Sequence, residues 1–244
     1  MTRVDSLSKT LVIVPAWNEA GVVGDTVREI AQRCPGVSII VVDDGSTDDT
    51  GDEARAAGAI VLTLAINLGV GGAMRAGFRY AIRHGFEQAI QIDADGQHNP
   101  DDIAAVLAGL ERADISIGAR FADVGDYRAR GPRRWAMRLL ARVVSRSAHT
   151  RLTDVTSGFR AANARAIAQY VKYYPAEYLG DTIDSLVAAV HAGLTVTQVP
   201  VAMRPRAGGH ASQSLFGSTV YLCRCVFALG LALMRGTSAQ ERVA

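Results

Sequence analysis

The 244-residue sequence has few cysteines, little net charge and no apolar segment at its start. Its three cysteines, Cys34, Cys223 and Cys225, are too few and too unevenly spaced for a disulfide framework or a four-ligand zinc site, which favours a reducing compartment. A formal net charge of +2 does not indicate a general basic field for nucleic acid. Because MTRVDSLSKT lacks the apolar core of a secretory signal, we expect a cytoplasmic protein.

Apolar runs alternate with helical patterns along the chain. The predicted strands are TLVIVPAW (10–17), SIIVVDD (38–44), AIVLTL (59–64), QAIQID (88–93) and ADISIGAR (113–120). The predicted helices cover 19–34, then 47–58 with Gly58 at the end, then a segment that follows a glycine-rich turn and reaches about Gly85, and a segment from Pro100. Strands that are apolar on both faces and alternate with helices predict an α/β fold with a mainly parallel sheet.

Polar and acidic residues follow three of these strands, at the edge where open sheets of this kind bind ligands. Most single acids in such places are solvated or cap helices, and we expect this of Asp48 and Asp101. Asp93 and Asp95 differ, because two like charges so close repel each other. A shared hard cation at the phosphates of a nucleotide would satisfy both carboxylates.

Six short motifs fall in the order and spacing of family-two glycosyltransferases, which the chain resembles from Leu11 to about Ser214. They are PAWNEA, VVDDGSTDDT, NLGVGGAMRAG, DADGQH, GAR and TSGFRA. The whole is similar to the dolichyl- or polyprenyl-phosphate sugar synthase branch. The resemblance implies a GT-A fold over residues 1–214, a nucleoside diphosphate sugar as donor, Mg²⁺ or Mn²⁺ as cofactor, and inversion at the anomeric carbon. A cation would neutralise the charge that develops on the departing diphosphate.

The resemblance also implies where the donor and the metal bind. The residues expected against the nucleotide sugar are Pro15, Ala16, Asn18, Glu19, Asp44, Asn67, Asp93, Ala94 and Asp95. Asp44 would accept a hydrogen bond from a base N–H. Asp95 would be the main metal ligand, with Asp93 and Gln97 as further oxygen ligands.

The glycine-rich stretch NLGVGGAMRAG (67–77) approaches the donor in the resembled family, although Val70 stands where a lysine is common. It does not follow the G-x-G-x-x-G pattern, and no acid lies at the distance expected for a ribose contact. The sequence therefore does not predict dinucleotide binding.

Further along the chain, the resemblance implies contacts to sugar or phosphate. Arg120 is expected near the donor sugar or diphosphate, and Ser157 and Arg160 at sugar- or phosphate-contacting positions. Asp181 and Asp184, at the start of a predicted helix, are candidates for the general base, with Asp181 preferred. Either could instead be an N-cap, and a phosphate acceptor carries its own negative oxygen, so that no strong base is required.

The acceptor class is predicted from the C-terminal part. QVPVAMRPRAGGHASQS (198–214) resembles the branch's Arg-x-Arg-x-x-Gly-x-Ser loop, although Gln213 replaces a frequent lysine. The residues expected to bind acceptor or donor phosphate there are Arg204, Arg206, His210 and Ser212. Residues 215–244 begin with a largely apolar stretch that carries Arg224, a costly residue for a membrane-spanning helix. An interfacial helix at the cytoplasmic membrane face fits better than a spanning one, and a core or dimer contact is the third alternative.

The sequence thus predicts a metal-dependent, inverting glycosyltransferase that moves a hexose from GDP-mannose or a UDP-sugar to polyprenyl phosphate at a membrane surface. A homo-oligomer or a small membrane-protein partner is compatible with it. Three alternatives stay open: a glycosyltransferase acting on a polysaccharide or small molecule, a sugar nucleotidyltransferase, and a non-catalytic nucleotide-sugar-binding partner of a membrane enzyme.

Overall fold

The computed structural model describes residues 7–120, 141–175 and 181–205. The strands are β1 (Thr10–Ala16), β2 (Ser38–Asp43), β3 (Ile60–Thr63), β4 (Gln88–Gln91), β5 (Ile115–Arg120), β6 (Arg160–Asn163) and β7 (Val196–Val201). The helices are α1 (Val23–Arg33), α2 (Thr50–Ala56), α3 (Gly69–Arg83), α4 (Ile103–Ala108), α5 (Ala164–Lys172) and α6 (Asp181–His191), with 3₁₀ turns at Pro100–Asp102 and Gly109–Glu111. Residues 141–147 are also helical.

The seven strands form one sheet in the order β3-β2-β1-β4-β6-β5-β7. All strand pairs are parallel except the two made by β6, which runs antiparallel between β4 and β5. The predicted α/β class and mainly parallel sheet are therefore confirmed. β6 and β7 were not predicted from the sequence.

Both faces of the sheet are covered by apolar side chains, which explains the continuous apolar runs. In β1, Leu11 and Ile13 face a core shared with α3, α5 and α6, whereas Val12 and Val14 face a core shared with α1, α2 and α4. Helix α3 lies close to β1, because a Cβ on Gly77 would stand 2.5 Å from Ile13 Cγ2. Helices therefore cover both faces of the sheet, and the loops lie at the ends of the strands.

The predicted elements are mostly longer than the observed ones, and two of the differences bear on the site. The glycine-rich stretch was expected to be a turn, but Gly69, Gly71 and Gly72 lie in the first turn of α3. The fourth strand was expected to reach Asp93 but ends at Gln91, so the acid pair lies in the turn that follows.

No helix in the described part of the chain has the length and apolar character needed to cross a membrane. The predicted helix at 215–236 lies outside the described residues, so the division into domains at residue 214 stays a prediction.

Candidate active site

The candidate site lies at the carboxyl edge of the sheet, where β1 is flanked by β2 and β4. From β1 the chain builds β2 and β3 on one side and then places β4 on the other side. Such a reversal of strand order opens a crevice between the loops of the two strands concerned. The loops after β1, β2 and β4 carry most of the predicted donor-binding residues.

The turn after β4 holds the acid pair. Asp95 is buried, and one of its carboxylate oxygens accepts a hydrogen bond from the Gln97 backbone N–H at 3.0 Å. The Asp93 side chain keeps 40% of its surface exposed, so its carboxylate can reach a ligand. Gly96 has φ +73, a left-handed conformation that allows the tight reversal. Helix α1 holds the turn in place, because Thr26 Oγ1 of this helix donates to the Ala94 carbonyl at 2.9 Å.

Asp93 has hydrogen-bond partners for both its carboxylate and its backbone. Gln91 Nε2 donates to Asp93 Oδ1 at 3.0 Å. The Asp93 backbone N–H donates to His98 Nδ1 at 3.1 Å, and His98 Nε2 lies 3.6 Å from Asp93 Oδ2. Gly158 lies against the same carboxylate, since an added Cβ would stand 3.2 and 3.3 Å from its two oxygens.

The donor set fits a hard divalent cation that also binds phosphate. No group of three or more His, Cys, Asp or Glu side chains among residues 7–120, 141–175 and 181–205 could hold a metal ion without help. Mg²⁺ is usually bound by one or two carboxylates together with substrate phosphates, so two acids suffice if the donor supplies its diphosphate. Asp93 and Asp95, with Gln97 beside them, match that requirement.

A second acid, Asp44, lies at the same edge after β2 and is 3% exposed. Its Oδ1 accepts a hydrogen bond from the Leu68 backbone N–H at 2.8 Å. Burial raises the pKa of Asp44 above its ordinary value, and the charge of Asp43 adds to the rise. The N–H groups of Leu68 and Gly69 offset only part of it. The carboxylate is therefore desolvated, as a group that pairs with a ligand N–H would be.

Gly45, directly after Asp44, lets the loop behind β2 pass against the loop behind β3. Its φ is +71, and a Cβ there would stand 2.9 Å from the Asn67 backbone nitrogen. Asn67 Oδ1 in turn accepts from the Gly69 N–H at 3.0 Å, at the start of α3. Asn67 therefore shapes the beginning of α3.

The loop after β1 is bound to the loop after β2 by a series of hydrogen bonds. Its four successive backbone N–H groups, 18 to 21, each donate to a side chain of residues 46–53, and the acceptors are Ser46 Oγ, Thr50 Oγ1, Asp48 Oδ2 and Glu53 Oε2. Asn18, with φ 52, completes the contact by accepting from the Thr47 N–H at 2.9 Å. Because these four donors are already used, the loop forms a preorganised wall of the crevice. Asp48 was expected to be solvated or to cap a helix, but the N-cap of α2 is Asp49, and Asp48 links the two loops instead.

Comparison with known proteins identifies the family. The model of glycosyl transferase family 2 matches residues 11–171, about two thirds of the chain. The chain belongs to this family. Two curated relatives are a polyprenol monophosphomannose synthase of Mycolicibacterium smegmatis, 32% identical over 223 residues, and an undecaprenyl-phosphate mannosyltransferase of Micrococcus luteus, 30% identical over 216 residues. Each alignment covers 84% of this chain, with 81% of the first relative and 88% of the second.

The fold also matches solved structures. Glucosyl-3-phosphoglycerate synthase from Mycobacterium tuberculosis has a TM-score of 0.69 at 20% identity, covering 95% of this chain and 84% of the other. At that identity the likeness concerns the fold alone, and it agrees with the GT-A arrangement of the sheet. The protein is thus a glycosyltransferase with a GT-A fold.

Other predicted residues of this family-two glycosyltransferase lie near the same edge. Arg120 ends β5, and Arg160 begins the antiparallel β6, so both backbones lie at the carboxyl edge. The Arg160 guanidinium is buried and donates to three carbonyls, those of Val155, Ser157 and Thr182. These contacts hold the segment before β6 and link it to the start of α6, where Asp181 lies. The phosphate contact expected of Arg160 would need this group to exchange partners and stays a prediction, as do the roles of Arg120 and Asp181.

Two more predicted residues have contacts within the protein. Ser157 is buried, and its Oγ accepts from the Phe159 N–H at 3.3 Å. Arg204 donates to Glu29 Oε1 of α1 at 2.7 Å and to the Asn99 side chain, which ties the end of β7 to the turn after β4. The expected contact of Arg204 with phosphate therefore competes with an ion pair.

Arg206, His210 and Ser212 lie outside the described residues. Conversely, Gln91, His98 and Gly158 border the acid pair but were not predicted as site residues. The contact between Gln91 and Asp93 could have been predicted, because the two residues are two apart and side chains two apart in an extended chain lie on the same side. No spacing rule predicts the contact of His98, which depends on the reversal at Gly96.

Proposed function

We propose that this glycosyltransferase transfers a hexose, mannose in the first instance, from a nucleotide-diphosphate donor to polyprenyl phosphate with the help of a divalent cation. The observation that carries the proposal is the position of Asp93 and Asp95 at the β1/β4 switch point, with the buried Asp44 on the other side of β1. The curated relatives support the choice of sugar and acceptor, since both are named for mannose transfer to a polyprenyl phosphate.

The donor would lie across the carboxyl end of β1. Its base would contact Asp44, whose buried carboxylate can accept a ring N–H of guanine or of uracil. The wall made by residues 18–21 would limit the position of the ribose. The diphosphate would then extend toward the partly exposed Asp93 and toward the cation that Asp93 and Asp95 would hold.

The reaction is a displacement at the anomeric carbon. An acceptor phosphate oxygen forms the new C–O bond as the bond to the donor diphosphate breaks, and the electron pair leaves with the diphosphate. Attack opposite the leaving group inverts the configuration. A divalent cation held by Asp93, Asp95 and Gln97 would neutralise charge on the leaving diphosphate. Since the acceptor oxygen is already ionised, no general base is required for this acceptor, and Asp181 would act as a base only toward a hydroxyl acceptor.

Two measurements test the proposal together. Thermal shifts with GDP-mannose, UDP-glucose and UDP-N-acetylglucosamine, each with and without Mn²⁺, should show one donor that raises the melting temperature in a metal-dependent way. That donor, with a radiolabelled sugar, should then give a labelled product that extracts with polyprenyl phosphate into organic solvent.

The controls separate the alternatives. Omitting polyprenyl phosphate should leave the label in the aqueous phase as unreacted donor. If the label is transferred instead to a polysaccharide or a small water-soluble molecule, that molecule is the acceptor and polyprenyl phosphate is not. A donor that binds but is neither transferred nor hydrolysed would favour a non-catalytic binding partner.

A further inference from the structure

We propose that His98 and Gln91 are positioning residues that fix the Asp93 carboxylate before the donor and metal arrive. The inference rests on the proposed function, in which Asp93 faces the metal and diphosphate. Neither side chain needs to touch the substrate. Both act through Asp93: Gln91 donates to its Oδ1, and His98 accepts from its backbone N–H.

The imidazole of His98 is held in one orientation. It is 4% exposed and stacks on Phe159, with ring centroids 4.9 Å apart and an interplanar angle of 16°. The backbone of His98 pairs with that of Met203 in a short antiparallel bridge. Rotation of the side chain would break the stacking on Phe159 and the hydrogen bond at Nδ1, while the paired backbone keeps the residue in place.

The hydrogen bond from the backbone determines the tautomer. His98 Nδ1 accepts from the Asp93 N–H, so in the neutral ring the proton must lie on Nε2. Nε2 is 3.6 Å from Asp93 Oδ2, which is beyond a hydrogen bond but places the ring edge beside that carboxylate. His98 thus fixes the backbone of Asp93 and packs beside its carboxylate.

Gln91 holds Oδ1 of Asp93, and Gly158, which has no side chain, leaves room for the Gln91 amide. Gln91 is buried and donates to Asp93 Oδ1. A Cβ at Gly158 would stand 2.9 Å from Gln91 Nε2, too close without a shift. Hence the carboxylate has one favoured orientation, and its remaining lone pairs are available to a ligand. Partners that orient a metal-binding carboxylate typically change metal affinity or activity 10–100-fold when removed.

The test uses three variants and wild-type protein. His98→Asn keeps an acceptor near the Nδ1 position but removes the Nε2–H and the ring. Gln91→Leu removes the donor to Oδ1 at similar volume. His84→Asn is the matched control, because His84 lies after α3 at the opposite edge of the sheet and stacks on Tyr80. Free Mn²⁺ is titrated by electron paramagnetic resonance with GDP or UDP present, and melting temperatures are recorded without metal.

We expect the Mn²⁺ dissociation constant to rise about tenfold in His98→Asn and in Gln91→Leu, and to stay unchanged in His84→Asn. Transfer activity of the first two should recover at saturating Mn²⁺, which a general loss of structure would not allow. If His98→Asn does not fold, Gln91→Leu decides. Unchanged Mn²⁺ affinity in the folded variants, with normal binding by wild-type protein, would overturn this inference alone. Wild-type protein that binds no Mn²⁺ with either nucleotide would overturn the proposed metal site as well.

Discussion

Two buried aspartates lie at opposite edges of the sheet and differ in what surrounds them. Asp114 precedes β5 at the amino edge, where the Thr195 backbone and hydroxyl, Asn163 and Arg165 all donate to its carboxylate. Burial opposes ionisation there, but these donors lower the pKa of Asp114 below its ordinary value. Asp44 follows β2 at the carboxyl edge, and burial raises its pKa.

The two aspartates therefore differ in how their charge affects the stability of the fold. A lowered pKa means that the ionised form is favoured by folding, so Asp114 stabilises the native state at neutral pH. A raised pKa means the reverse, so ionised Asp44 reduces stability in the protein without ligand. Local interactions that cost stability are expected at functional sites. The carboxyl edge is therefore where this protein departs from the arrangement that would be most stable.

The largest effect should come from the acid that we assign to the metal. Asp95→Asn keeps an acceptor for the Gln97 N–H but removes the charge. Because a bound metal contributes several kcal/mol to charge stabilisation, we expect the rate of transfer to fall about 1,000-fold or more. The radiolabelled transfer assay measures the rate, and the melting temperature should stay close to that of wild type. Full activity of this variant would remove the proposed role of Asp95.

The second effect concerns stability at the opposite edge. Asp114→Asn loses the ion pair with Arg165 and the charge-assisted bonds from Thr195, worth about 2 kcal/mol together. For a chain of this length we expect a fall in melting temperature of about 4–8 °C at pH 7, with unchanged nucleotide affinity.

The pH dependence of this variant gives a sharper test. Since the pKa of Asp114 is lowered by folding, its contribution is present above the unfolded pKa and is lost as the pH falls below about 4. The melting temperatures of Asp114→Asn and wild type should therefore converge in acid. A difference in melting temperature that does not shrink as the pH falls below about 4 would mean that shape, and not charge, makes Asp114 stabilising.

Sequence patterns predicted the part of the fold that repeats regularly. β1 to β5 are apolar runs between helical segments, and the parallel arrangement fits the burial of β1, β2, β4 and β5 on both faces, whereas β3 at the sheet edge is more exposed. β6 was missed because Arg160–Asn163 is short and begins with an arginine, whose burial depends partly on its bond to Thr182 of α6. β7 contains Pro200, which argues against a central strand, and it lies at the sheet edge where proline is tolerated.

The site was predictable to the extent that it follows from strand ends. Asp44 and the pair Asp93 and Asp95 were placed at the carboxyl edge from sequence, and the structure brings them to the ends of the two strands that flank β1. The surroundings of these acids were not predictable. The contact between His98 and Asp93 depends on the turn at Gly96, and the Arg204 ion pair with Glu29 joins residues far apart in the chain.

The smallest effect on the fold, and the most direct test of the comparison, comes from Asp44→Asn. The amide can still accept from the Leu68 N–H, so the loop after β3 should keep its position. Because folding raises the pKa of Asp44, removing the charge should leave the melting temperature at pH 7 unchanged or slightly higher, and this gain should vanish as the pH falls and wild-type Asp44 takes up a proton. That is the opposite of the effect at Asp114.

Donor affinity of Asp44→Asn should fall about tenfold, since a hydrogen bond to a charged group is worth about 1.5 kcal/mol or more. Isothermal titration with the donor chosen by the thermal-shift panel measures the affinity. If Asp44→Asn instead destabilises the protein as Asp114→Asn does and binds donor normally, then both acids serve the fold, and the nucleoside must be recognised by other residues of the crevice.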